Sequence, residues 1–277
     1  MSDIERATAK HYGQRNLGET ILAALRRMGK DVDALTPEDL APIDAFHVRG
    51  RAATEELARF CTLGPEHHVL DVGCGLGGSA RYLALQCGCR ATGLDLTPEY
   101  VQAAQMLTAR LKLDERVDFR QGSALEMPFD DGAFDLVWSE HAQMNIADKP
   151  RLYGEIRRVL KTGGRFAFHD VLQGAGGEPH YPAPWASDPS HSSLIGPADF
   201  RRLLGSLGFD VKLWEDKTAV GRDWFRERVA ALREKGPPPL GFHTLIGSIA
   251  PETQENTLRN LEENRIALVQ GVLEKVR

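Results

Sequence analysis

Glycine crowds one short stretch of this chain, Val69-Leu-Asp-Val-Gly-Cys-Gly-Leu-Gly-Gly78, where an apolar run holding a single acid, Asp71, breaks into Gly73, Gly75, Gly77 and Gly78. Ser79 to Leu83 then continue with helical character. Strand, tight turn and helix in that order present positive-φ glycines and free helix N–H groups to a ligand. Gly73, Gly75 and Gly78 also satisfy the G-x-G-x-x-G dinucleotide fingerprint, so the turn alone specifies a nucleotide-like ligand and nothing finer. Two acids narrow the chemistry. Asp95 falls 17 residues after Gly78, at the end of the next apolar run, where a carboxylate can accept both hydroxyls of a ribose. Asp71 sits inside the strand, and a buried carboxylate is costly unless partnered, which implies a cationic or donor-rich neighbour such as an amino group.

Positioning these groups requires alternating strands and helices, and the pattern supplies them. Strands are expected at about His67 to Val72, Cys89 to Asp95, Val117 to Gln121, Phe134 to Ser139 and Arg165 to Val171. Helices are expected at about Gly77 to Gln86, after Thr97-Pro98-Glu99, and over Lys149 to Leu160, with Lys161-Thr-Gly163-Gly164 as a turn. Short apolar strands alternating with helices predict an α/β, Rossmann-like fold with a mostly parallel sheet covered on both faces and ligands beyond the strands' carboxyl ends. Past strand 5 the rhythm breaks. Residues 173–196 are rich in Gly, Pro, Ser and His, too long for a connector, and read as a functional loop over the strand ends. A helix over Pro197 to Ser206, a strand over Phe209 to Trp214 and helices over Arg222 to Lys235 and Glu252 to Glu263 follow. Ile266 to Arg277 reads as a last sheet strand, because Gly271 in a helix interior would cost about 1 kcal/mol relative to Ala. The expected organisation is a helical cap or lid over 1–62 and a core over 63–277, with cap insertions at about 173–196 and 218–264.

Composition removes several function classes. Of 277 residues 42% are hydrophobic, enough for a real core, and the formal charge of -5 disfavours a nucleic-acid surface, which needs clustered Lys and Arg. No stretch approaches the roughly 18 apolar residues of a membrane span, and Met1 to Lys10 holds no apolar leader, so a cytoplasmic protein without membrane partner is expected. Cys61, Cys74, Cys87 and Cys89 lack zinc-type spacing and read as reduced thiols, with no metal site.

Four motifs together carry a family resemblance: Asp71-Val-Gly73-Cys-Gly75-Leu-Gly77, Asp95 closing strand 2, Phe129-Asp-Asp-Gly-Ala-Phe134-Asp135-Leu-Val, and Leu160-Lys-Thr-Gly163-Gly164. On these the chain resembles the class I S-adenosylmethionine-dependent methyltransferases. That fold implies a seven-stranded sheet with an antiparallel last strand. The Phe46-His47-x-x-Gly50 linker, the Pro182-Ala-Pro184-Trp185-Ala186 loop and the Asn260-Leu-Glu-Glu tail are similar to the small-molecule group around sarcosine/dimethylglycine N-methyltransferases. Carried over by position, the resemblance implies that Gly73, Cys74, Gly75 and Gly77 pass the methionine end of S-adenosylmethionine and that Asp71 supports its amino group or the turn. Asp95 would hold the ribose, Leu96 would pack on adenine, and Ser123 and Ala124 would take the adenine edge. Many relatives carry Asp where this chain has Ser123, so the amino-group contact weakens or passes to Gln121 or a water. Tyr12 is a further cofactor candidate from the first helix, and Glu140 and His141 fall where the sulfonium and methyl should lie.

Methyl transfer from a sulfonium needs alignment and water exclusion more than acid catalysis, because the leaving thioether is already activated. An amine acceptor must still arrive neutral or lose a proton nearby, and a phenol or enol needs a base. His141 and His169, at carboxyl ends of strands, are the candidate catalytic groups. His47, Arg51, Met144 and Trp185 are candidate acceptor-binding residues, with Trp224 and Phe242 as further walls; an aromatic face suits a methylated ammonium, and Arg49 or Arg51 could pair a carboxylate. The expected activity is methyl transfer to a small-molecule amine, leaving S-adenosylhomocysteine, with O- or C-methylation of a phenolic, quinone-like or natural-product scaffold as the alternative. A monomer or homodimer is expected. An NAD-dependent oxidoreductase shares only the fingerprint and is disfavoured by Asp71 and the Gly163-Gly164 turn; a cofactor-binding protein without transfer activity is the third class.

Overall fold

A computed structural model describes residues 16–276. Its centre is a seven-stranded sheet in the order β3-β2-β1-β4-β5-β7-β6, with β1 His68–Val72, β2 Arg90–Asp95, β3 Val117–Gln121, β4 Phe134–Glu140, β5 Leu160–Gln173, β6 Phe209–Asp216 and β7 Ile266–Lys275. β3, β2, β1, β4 and β5 run parallel, and β7 is antiparallel to both β5 and β6. The chain's tail is thus a central strand. Gly271 suits it, because a Cβ there would lie 2.6 Å from the ring of Phe168 on β5. The sheet order reverses between β1 and β4, the point where open α/β sheets leave a crevice beyond the strand ends.

The helices are α1 Leu17–Arg27, α2 Pro37–Asp44, α3 Arg51–Ala58, α4 Gly78–Cys87, α5 Pro98–Arg110, α6 Lys149–Val159, α7 Pro197–Ser206, α8 Thr218–Lys235 and α9 Ala250–Glu262, with one helical turn at His243–Ile246 between the last two. Strand alternation feeds two apolar layers. Leu70, Val72, Val137, Phe166 and Phe168 pack with α6 and α7 on one face, and Val69, Leu136, Trp138 and Ala167 pack with Ala80, Leu83 and Leu57 on the other. Each fully buried large apolar side chain contributes about 1.5–3 kcal/mol, so both faces are anchored. Two outer clusters then build walls past the strand ends: α1 against Tyr100, Leu107, Leu240 and Leu245, and Val48, Met144 and Trp185 against Phe225, Val229, Leu258 and Leu268.

One local expectation changes. Lys161 to Gly164 is not a free turn but the irregular beginning of β5, which starts at Leu160 opposite Phe134, with Gly163 at φ 76°. Helix α2, Pro37–Asp44, is opened by a reciprocal Thr36–Asp39 capping box. The loop after β5 is pinned to α9: His180 donates its N–H to Asn260 Oδ1 (2.7 Å), and Asn260 Nδ2 donates to the His180 carbonyl (3.0 Å). Among the described residues, no helix is long and apolar enough to cross a membrane.

Candidate active site

Beyond the carboxyl ends of β1, β2, β4 and β5 lies a cavity of about 850 Å³, and its walls carry both acidic and aromatic side chains. The acidic end is the β1–α4 turn. Gly73 and Gly75 line it at φ 74° and 52°, and nothing stands within 4 Å of where a Gly75 Cβ would be. Gly77 does not line the cavity. Its φ is 78° and a Cβ would fall 2.4 Å from the Phe119 ring, so this glycine serves the turn and its packing, a correction to the expected ligand contact. Asp95 braces the turn, accepting from the Gly75 N–H through Oδ2 (2.9 Å) and from the Thr97 N–H through Oδ1 (2.9 Å).

Asp71, Asp95 and Glu140 all face this end. Burial pushes the Asp71 carboxyl well up, and Glu140 pushes it further; burial also raises Asp95, against its backbone hydrogen bonds. Asp71 Oδ2 is buried with no hydrogen-bond partner. An orphaned carboxylate oxygen among two further acids, beside a glycine turn open to the cavity, fits a cationic, amino-bearing ligand with a ribose. Cys74 lines the same wall, and burial, with Asp95 and Asp71 beside it, keeps its thiol protonated. Leu96, Ser123 and Ala124 also line the cavity. Gln121 does not: it is exposed, and its amide donates to the Leu96 carbonyl at 3.4 Å, so it steadies the loop rather than reaching inward. Tyr12 lies outside the described residues.

Glu140 and His141 end β4. Glu140 accepts from Ser79 Oγ (2.6 Å), Trp138 Nε1 (2.9 Å) and Thr54 Oγ1 (3.1 Å), and its Oε1 lies 3.3 Å from His47 Nε2. His47 Nε2 also meets the Gly50 carbonyl at 2.8 Å; because a carbonyl only accepts, that nitrogen carries the proton. Three imidazoles meet here, with ring centroids 6.0 Å apart for His47–His141, 6.0 Å for His47–His169 and 5.2 Å for His141–His169. His141 lines the cavity, its φ is 51°, and its Nε2 is buried without a partner. Burial, then His169 and His47, hold its basicity well below the ordinary 6.5, so the ring is neutral at physiological pH.

His169 is the principal correction. It is 0% exposed, is no part of the cavity wall, and donates Nε2–H to the Val48 carbonyl at 3.1 Å, with burial depressing it to about 3. The expected strand-end position does not hold, because β5 runs on to Gln173 and His169 lies within it, paired with Glu140 at the end of β4 and with its ring stacked on that of His141. It lies behind the cavity wall, against His141 and the Val48 carbonyl.

Met144, Trp185, Trp224, Phe225 and Phe242 give the cavity its aromatic and apolar lining, and His47 and Arg51 line it as well. Trp185 is fixed at both ends: its Nε1–H donates to Ser192 Oγ at 2.9 Å, and its carbonyl accepts from Asn145 Nδ2 at 2.6 Å. Arg51 donates weakly to the Pro37 carbonyl (3.4 Å), whereas Arg49 is spent on Glu56 (2.5 Å). Sequence reasoning missed Ser79, Thr54 and Trp138, which hold Glu140, and missed Arg228, Gln254 and Thr257, which line the cavity. The i, i+4 spacing of Trp224 and Arg228 was the available signal for the second group.

A family model described as a methyltransferase domain matches residues 70–168. The sarcosine/dimethylglycine N-methyltransferase of Halorhodospira halochloris is 34% identical over 211 residues, 75% of each chain. The chloroplastic tocopherol O-methyltransferase of Arabidopsis thaliana is 40% identical over 117 residues, 40% of this chain and 34% of that one. Geranyl diphosphate C-methyltransferase from Streptomyces coelicolor A3(2) has the same fold at a TM-score of 0.73 and 20% identity, covering 99% of both chains. With a sheet of this order, a glycine turn over paired carboxylates and 34% identity across most of a full-length relative, the chain belongs to the S-adenosylmethionine-dependent methyltransferases that act on small molecules.

Proposed function

We propose that the enzyme methylates an amine nitrogen of a small-molecule acceptor, with His141 as the proton acceptor. The observation that carries this is His141 itself, a neutral histidine that lines the cavity and has a buried ring nitrogen without a hydrogen-bond partner. When bound, S-adenosylmethionine supplies a methyl group already activated on sulfur. Asp71, Asp95 and Glu140 would hold its cationic and ribose portions, Gly73 and Gly75 would admit it against the backbone, Cys74 would pack beside that end, and Leu96, Ser123 and Ala124 would flank the base. An amine reaches the site mostly as an ammonium, whose nitrogen has no lone pair to offer. His141 is the group assigned to take that proton: its ring is neutral across the physiological range, although its depressed basicity makes the transfer uphill, and the neutral form is lost only as pH falls through that depressed value. The surrounding indole and phenyl faces attract a methylated ammonium. One relative, matched over 75% of this chain, is named for N-methylation of sarcosine and dimethylglycine.

The test is S-adenosylhomocysteine release from a panel of secondary and tertiary amines alongside phenols and hydroquinones. Amine turnover is expected, with His141→Ala lowering kcat by about 10²–10⁴-fold while S-adenosylhomocysteine affinity stays within about threefold. Turnover of ring hydroxyls or ring carbons alone would establish O- or C-methylation instead, the reading favoured by so large and apolar-walled a chamber beside a histidine.

A further inference from the structure

Helix α8 carries Arg222, Arg226, Arg228 and Arg233, and three of the four are neutralised at the surface. Arg222 pairs with Asp223 (3.1 Å), Arg226 with Glu262 (2.8 Å) and Arg233 with Glu255. Arg228 instead turns to the cavity, half-buried, and among the described residues no carboxylate and no hydrogen-bond acceptor meets its guanidinium. What meets it is the face of Trp224, one helical turn back, with Cζ 5.5 Å from the ring centroid. A partly buried cation without a counter-charge is an expense the fold avoids elsewhere on this helix, and an indole face orients a guanidinium without consuming any of its five N–H donors.

A second orphan shares the chamber. Gln254 on α9 lines the cavity, is only 7% exposed, and its Oε1 is buried without a partner. Such polar groups are kept where a ligand completes them. The cavity thus takes Asp71, Asp95 and Glu140 from the strand ends and Arg228 from α8.

We propose that Arg228 is a specificity-determining residue that binds an anionic group of the methyl acceptor, a carboxylate or a phosphate ester. This rests on the methyl-transfer reading but not on which atom takes the methyl. Trp224 sets the guanidinium plane, so that two parallel N–H groups face the oxyanion. With its anion held at α8, the acceptor's other end is directed toward His141 and the acidic wall. Arg49 is paired with Glu56 and Arg51 has one weak bond at 3.4 Å to the Pro37 carbonyl, whereas Arg228 is the cavity-lining arginine with no hydrogen-bond acceptor or carboxylate partner among the described residues.

Two arms test this on the full chain. In the first, S-adenosylhomocysteine-saturated protein is titrated calorimetrically with benzoate, phenyl phosphate and the neutral control benzamide. Wild type is expected to bind one or both anions and benzamide at least tenfold more weakly; Arg228→Gln should lose the anion, by about 10–100-fold for a charge-assisted pair, and Arg228→Lys should recover part of it. Preference for benzoate or for phenyl phosphate decides which anion the site is built for. Unchanged S-adenosylhomocysteine affinity in both variants shows that they fold. Equal binding of anions and benzamide by wild type, or undiminished anion binding by Arg228→Gln, overturns the proposal. In the second arm, each acceptor that turns over is compared with its amide or dephosphorylated partner: Arg228→Gln should raise KM for the anionic member far more than it changes kcat, and the anionic preference should collapse toward one. A retained preference also overturns it. Because the first arm needs no turnover, a failed amine panel leaves the anion site independently decided.

Discussion

His141 stands in the left-handed region at φ 51°, where a residue with a Cβ pays about 1–2 kcal/mol. Its N–H donates to the His169 carbonyl at 2.9 Å, so β5 holds the strained residue in the cavity wall. Side chains below the site have a separate, measurable consequence. His169 falls from an ordinary 6.5 to about 3 on folding, chiefly through burial. A depressed histidine contributes stability that is complete above its unfolded value and is lost as pH falls toward the folded one; the window is therefore about pH 6.5 down to 3. Wild type should lose stability on acidification, by up to about 1.4 kcal/mol per pH unit for each such histidine. His141 titrates in the same direction, so His169→Gln, which can still donate toward Val48, should flatten the slope between pH 6.5 and 5 without abolishing it. Urea unfolding at several pH values would show this, and parallel curves for the two proteins would refute it.

Between residue and molecule, the decisive contact is that of α2 with α4. Gly78, in the first turn of α4, runs so close to the end of α2 that a Cβ would lie 1.9 Å from the Asp44 backbone oxygen. Arg81, buried on the same helix, closes on the Asp44 carboxylate at 2.6 Å. The glycine that completes a nucleotide fingerprint on paper thus admits a neighbouring helix. Gly78→Ala should push α2 away and destabilise the protein by about 1–3 kcal/mol, as overpacking does, and should weaken S-adenosylhomocysteine binding through the adjoining turn. Gly154→Ala in α6, where nothing lies within 4 Å of the new methyl, should instead be neutral or stabilising by up to about 1 kcal/mol. Chemical denaturation of the two variants against wild type separates the steric reading from a general intolerance of alanine.

At the scale of the whole molecule, one cavity draws its walls from the parallel sheet, the linker ahead of β1, the loop after β5 and the α8–α9 pair. Binding there links these parts, so S-adenosylhomocysteine at about 100 times its Kd should add about 2.7 kcal/mol and raise Tm by roughly 5–10 °C for a chain of this size. A shift below about 2 °C at that concentration would mean that the ligand does not bind the folded protein in preference to the unfolded chain. How much of this was legible beforehand follows from sequence distance. Strand, glycine turn and helix are local, so Asp71, Gly73, Gly75 and Asp95 could be placed from spacing alone, and the alternation of short apolar runs with helices specified the parallel sheet. The last strand was legible as well, through Gly271 and its valines, because helix and strand propensities differ within a single segment. Depth and direction were not. Whether His169 or His141 faces the cavity depends on the β4–β5 register, whether Gly77 meets ligand or Phe119 depends on a strand about forty residues later in the sequence, and the isolation of Arg228 appears only once the carboxylates of α8 and α9 have found their other partners. The sequence by itself determined the donor cradle, since close backbone approach is a property of neighbouring residues. Only the tertiary structure decided the chamber proposed for the acceptor, because an unpaired charge is defined by everything that fails to come near it.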